Sequence, residues 1–184
     1  MGSSPMRKFL AVTIVSTLII SVTYFLPSGF WAEFGGLPAH PLIIHGVVVL
    51  LPLLAIFLLV GLFWKNVLKK FHLTITGLLA LSVVAALAAK SSGYSLSTVV
   101  GLPKSHAEWG NYLVLSAIAL FSSFVLFSFF TFYKKSKFAS LGLGVLMATL
   151  AVSAIVMTYV VGHSGAASVW KYKYDMGKEQ QESS

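Results

Sequence analysis

The chain reads as an all-α, polytopic membrane protein with five transmembrane helices, an N-terminal signal-anchor followed by a four-helix bundle of two hairpins. Three observations predict this. Of 184 residues, 57% are hydrophobic and only 10% charged, whereas soluble domains carry roughly 25% charged residues. Five apolar runs approach or exceed the ~17–25 residues that a helix needs to cross a bilayer. The cations also gather on one side of these runs: Arg7, Lys8, Lys65, Lys69, Lys70, Lys134, Lys135 and Lys137. The positive-inside rule makes that side cytoplasmic, with the N-terminus inside and the C-terminus outside.

The formal charge of +8 therefore has a topological cause, and nucleic-acid binding is not indicated. With no cysteine, disulfides, iron–sulfur clusters and covalently attached c-type haem are excluded.

Arg7-Lys8 precedes an apolar run from Phe9 to Leu26 that ends at Pro27. It is long for a signal peptide, and residues 28–39 offer no small-x-small cleavage site, so it reads as a retained anchor. Residues 28–39, with Phe30, Trp31 and Phe34, read as an outer interfacial linker. Helix two is expected from Pro41 to about Trp64, with Pro41 at its first position and His40 at its cap. Helix three follows from about Leu73 to Ala89, and an outer loop from Lys90 to Lys104. Helix four opens on Ser105-His106-Ala107-Glu108, a capping-box pattern, and runs to about Tyr133. Helix five runs from about Phe138 to His163 and ends at Gly165, before a polar tail expected to be disordered at its end. The domains are then 1–36 (anchor and linker), 37–172 (four-helix membrane domain) and 173–184 (tail). Trp31, Tyr94, Trp109, Tyr112, Trp170 and Tyr172 fall on the outer boundary and Trp64 and Tyr133 on the inner, as an aromatic belt.

A weak internal repeat runs through the bundle. Each half reads as histidine, helix, Lys-rich inner turn, helix, and then Ser-Gly, at Ser92-Gly93 and at Ser164-Gly165.

The histidines carry what chemistry there is. On this topology His40, His45, His106 and His163 lie toward the outer face, and only His72 lies on the inner side. His40 and His45 are five residues apart, about 140° around a helix, so each needs its own partner. No Asp or Glu lies within an apolar span, so the imidazoles must pair with backbone carbonyls, hydroxyls or a metal. Histidine is the commonest neutral metal ligand, and two facing imidazoles in a bundle are the axial pair of a b-type haem. The candidate cofactor-binding residues are His45, His163, His106 and His40. The two deepest, His45 and His163, form the first-choice axial pair, with His106 as the alternative ligand and His40 as a propionate partner. A copper, zinc or iron ion would instead draw on His45, His163 and His106. His72, beside Lys70, reads as structural. So does the small-residue stripe of Gly142, Gly144, Ala148, Ala151 and Ala154, with Ala85, Ala86, Ala88 and Ala89, which fits close helix packing. No nucleophile–base pair or phosphate-binding loop marks a hydrolase or transferase, and no catalytic residue is assigned.

Two segments resemble a bacterial membrane-protein family catalogued as domain of unknown function 2231. They are His40-Pro41-Leu42-Ile43-Ile44-His45 and Gly162-His163-Ser164-Gly165-Ala166-Ala167-Ser168-Val169-Trp170. His106 matches the histidine that opens that family's third helix. The opening motif departs at Gly46-Val47, where Phe-Pro is usual. The resemblance covers roughly residues 37–172 and implies a four-helix membrane unit. Some larger members are fused to c-type cytochrome domains, which implies redox company. The expected function is electron transfer by a membrane-embedded haem b, with quinol or a periplasmic redox protein as partner, in the bacterial inner membrane. A non-catalytic accessory subunit of a larger membrane complex and a transition-metal-binding protein are the alternatives.

Overall fold

The structure, a computed structural model, describes residues 4–101 and 104–182. Five helices follow one another: α1 (Pro5–Phe25), α2 (Ala39–Gly61), α3 (Lys65–Val100), α4 (Lys104–Ser128) and α5 (Lys137–Glu182). A π-helical turn, Phe129–Tyr133, extends α4. All five helices are long and apolar enough to cross a membrane. The chain is thus an all-α, polytopic membrane protein.

Local chemistry sets the ends. Ser4 caps α1 by accepting the Arg7 N–H at 3.4 Å, and Pro5 occupies the first turn. Pro27 disfavours helical backbone at Leu26, which is extended at ψ 143° and stops the helix. A 3₁₀ turn, Ser28–Trp31, leads to a minimal antiparallel ladder that pairs Glu33 with Pro38 and Phe34 with Leu37. Gly35 and Gly36 close it with φ of +59° and +78°, as a hairpin turn with two left-handed positions requires. α2 begins at Ala39, earlier than expected, so His40 and Pro41 both lie within its first turn. There the missing proline N–H still costs no hydrogen bond. At the far end a Cβ on Gly61 would approach Leu68 Cγ to 2.8 Å, so the tight turn into α3 depends on glycine.

The main packing contacts form a ring. α2 lies against α3 and α5, α4 lies against the same two, and α1 sits outside on α3. Leu51 and Leu58 of α2, Leu79 and Val83 of α3, Leu120 and Phe124 of α4, and Met147 and Ala151 of α5 meet in the core. Gly144, Ala151 and Ala154 of the small-residue stripe are buried, whereas Gly142 is exposed.

Two helices exceed the expected lengths, with consequences for function. The segment from Lys90 to Val100, expected as loop, continues α3. Its hydroxyls bond back along the helix, Ser92 to the Ala89 carbonyl (3.0 Å), Ser95 to Ser91 (3.3 Å) and Thr98 to Ser95 (2.8 Å). Serine side chains that compete with a helix from outside here complete its turns. Leu102 and Pro103 of the expected loop lie outside the described residues. α5 likewise runs past Gly165 to Glu182, where Lys178, Glu179, Gln180 and Gln181 are good helix formers. The expected disordered tail is thus helical up to Glu182, and Ser183 and Ser184 lie outside the described residues.

At the end opposite the Ser-Gly pairs, His72 ties three elements together. Its Nδ1 donates to the Lys69 carbonyl at 2.6 Å. The Tyr133 hydroxyl donates to its Nε2 at 2.7 Å and lies 3.2 Å from the Pro5 carbonyl. Phe9 of α1, only 1% exposed, stacks on Tyr133 and packs on His72. This cluster brings the starts of α1 and α3 to the end of α4, and with them the basic residues around Arg7, Lys69 and Lys134. We predict that Phe9→Ala lowers unfolding stability by about 3 kcal/mol through the cavity it leaves. Denaturant unfolding in mild detergent measures this, and an unchanged midpoint would show that α1 does not depend on the contact.

Candidate functional site

Each hairpin opens on a histidine and reaches Ser-Gly near its end, and the fold joins these two points in both halves. His40, in the first turn of α2, sits over Gly93 of α3, where a Cβ would come within 3.1 Å of its Cε1. Its Nδ1 lies 2.8 Å from the Ala89 carbonyl and 3.4 Å from the Ser92 hydroxyl. His106, in the first turn of α4, sits over Gly165 of α5, where a Cβ would lie 3.0 Å from its Cε1. Its Nδ1 lies 3.0 Å from the Ser164 hydroxyl. The weak repeat in the sequence is therefore a repeated contact, with an imidazole seated on a glycine of the next helix.

The partners assign the tautomers. A carbonyl only accepts, so His40 carries its proton on Nδ1 and donates it to Ala89. The Ser164 hydroxyl has one proton, which it gives to the Val161 carbonyl at 3.0 Å. It therefore accepts from His106 Nδ1. On this assignment both rings keep a lone pair on Nε2; His40 Nε2 has no hydrogen-bond partner among the described residues, and His106 also bonds the Val161 carbonyl. The two rings are neighbours across the bundle, with centroids 6.3 Å apart and planes at 84°.

The pair lies on a cleft of about 800 Å³ framed by α2, α3, α4 and α5. Its wall is mainly apolar, with Val47, Ala86, Leu113 and Val161 among the lining residues, and with Lys90 and His45 on it as well. That volume falls within the roughly 300–1,000 Å³ typical of small-molecule and cofactor sites.

The first-choice pair of the sequence is not the pair that meets. His45 is exposed, and its Nδ1 donates to the Pro41 carbonyl of its own helix. His163 is also exposed and stacks on Tyr159 one turn earlier, with centroids 6.0 Å apart and planes 15° apart. It does not line the cleft, whereas its neighbours Gly162 and Gly165 do. His40, first assigned a supporting role, and His106, first assigned as alternative, are the two that converge. Among the described residues, no three His, Asp or Glu side chains gather as a metal-binding group. Lys90, Gly93 and Ser92 carried no site assignment in the sequence, because they fell in a segment that resembled a loop. Their signal was the repeated Ser-Gly.

Fold and site together define a polytopic helical membrane protein with a matched imidazole pair at one end of a four-helix bundle. The chain belongs to the family described as "Predicted membrane protein (DUF2231)", which matches residues 36–178. The match takes in α2 to α4 and most of α5, with both histidine seats, and leaves α1 outside. No curated protein and no solved structure matches the chain.

Gly93→Ala and Gly165→Ala should each destabilise the protein by about 1–3 kcal/mol, because the added methyl meets an imidazole that is held on its other side. Gly142→Ala, with nothing within 4 Å of its Cβ, should be neutral or slightly stabilising. Thermal unfolding in detergent compares the three, and equal behaviour would mean that the histidine seats are not close-packed.

Proposed function

We propose that this protein is a b-type haem protein of the bacterial cytoplasmic membrane that transfers electrons, and that His40 and His106 would hold the haem iron. The observation that carries the proposal is the matched pair of imidazoles, on different helices, with Nδ1 committed and a lone pair on Nε2. Two imidazoles on opposite faces of one iron have ring centres roughly 6 Å apart, given metal–nitrogen bonds of about 2 Å. The 6.3 Å separation of His40 and His106 fits that requirement. Haem bound there supplies one-electron chemistry.

The remaining work belongs to the chain. The Ala89 carbonyl and the Ser164 hydroxyl hold the two rings in orientation and make each Nε2 a better donor of its lone pair. Gly93 and Gly165 bring the neighbouring helices close enough for that contact. The apolar wall limits water at the site, which stabilises a neutral ligand pair and influences redox potential. His72 at the opposite end is engaged by Lys69 and Tyr133, which supports one haem rather than a pair spanning the bilayer. Electrons would then enter and leave at the histidine end, with quinol in the bilayer or a redox protein as partner. The basic residues clustered around the His72 end support an orientation with that end in the cytoplasm and the haem site toward the periplasm.

The test is haem content and the reduced-minus-oxidised visible spectrum of detergent-purified protein and its single histidine variants. We expect about one haem per chain, lost in His40→Ala and in His106→Ala but kept in His45→Ala and His163→Ala. Loss in the latter two with retention in the former would restore His45 and His163 as the ligand pair. Colourless protein from haem-replete cells would contradict the proposal and favour an accessory subunit.

A further inference from the structure

The cleft beside the imidazole pair carries a cation that the proposed ligation does not use. Lys90 follows Ala89, whose carbonyl holds His40, and precedes the Ser92-Gly93 seat by two residues, so it lies within one helical turn of the site. It lines the cleft and is half-buried. Its ammonium stands 6.0 Å from the centre of the Tyr94 ring. No carboxylate lines the cleft among the described residues, and none of them forms an ion pair with Lys90. Glu33 and Glu108 are exposed and lie outside the cleft lining. Lys90 is half-buried beside a mainly apolar wall, and an anion in the cleft would offset the cost of desolvating its ammonium.

We infer that the cleft takes an amphipathic anion, whose apolar body lies along the alanine and glycine wall beside the imidazoles and whose acidic group pairs with Lys90. This deepens the proposed function and rests on it in one respect, because the carboxylates of haem b are one source of such an anion. The headgroup of an anionic membrane lipid is the other. In both cases the lysine contributes a charge-assisted hydrogen bond that a neutral ligand cannot form.

The experiment uses the full chain, stripped of haem, and titrates it with haem b and with the dimethyl ester of haem b, in which both carboxylates are masked. Wild-type protein should bind haem b about tenfold more tightly than the ester. Lys90→Met should bind the two alike, and Lys90→Arg should keep the preference. Lys90→Gln repeats the comparison if the methionine variant misfolds. The same preference in wild type and in the uncharged variants would overturn the inference. If wild type binds neither form, the haem reading itself fails, and lipid retention decides the role of Lys90. Native mass spectrometry from nanodiscs of mixed phosphatidylglycerol and phosphatidylcholine should then show phosphatidylglycerol held by wild type and lost from Lys90→Met. Equal retention would overturn the inference there too.

Discussion

An imidazole between membrane helices must place its N–H on an acceptor, since the bilayer core offers no water to take it. In this protein that constraint is met in the same way twice. His40 gives its Nδ1 proton to Ala89, and His106 gives its own to Ser164, each while resting on a glycine of the next helix. The arrangement depends on glycine because a Cβ at either seat would press on the ring. It depends on α3 and α5 remaining helical past Lys90 and His163, because only then do the Ser-Gly pairs stand opposite the histidines. What results is a pair of rings with the same nitrogen committed and a lone pair on the other.

The two ends of the bundle use histidine differently. At the basic end both nitrogens of His72 are engaged, one by Lys69 and the other by Tyr133, and Phe9 covers the ring. That histidine is a fastener for α1. At the other end one nitrogen of each ring is held, and both residues line a cleft. A ring with both nitrogens occupied serves packing, and a ring with one held and one free is the ordinary geometry of a ligand supported from behind.

Much of the architecture was legible in the residues. Five apolar runs, basic turns and the flanking aromatics are enough to specify a five-helix membrane bundle, and Pro27 marks the end of α1. The serine-rich stretch from Lys90 to Val100 misled, because Ser and Gly favour loops when judged locally. Its hydroxyls bond within the helix, and His40 packs against Gly93, so tertiary contact outweighed propensity. The same stretch hides which histidines meet in the fold. In the sequence His45 and His163 rank highest because they lie deepest in the apolar runs. Depth says nothing about which way a helix turns its side chains: His163 stays off the cleft, and His45, exposed at its rim, bonds within its own helix. The duplicated Ser-Gly marks the contacts that His40 and His106 make, since a repeat records a contact that a hydropathy profile cannot.

The central proposal is that His40 and His106 would together hold one haem iron. The most direct measurement is low-temperature electron paramagnetic resonance of the oxidised protein. Two axial imidazoles with planes near the 84° found here should give the highly anisotropic low-spin ferric signal that perpendicular rings produce. A rhombic low-spin signal would mean nearly parallel rings, and a high-spin signal would mean fewer than two imidazoles. Either would contradict the account.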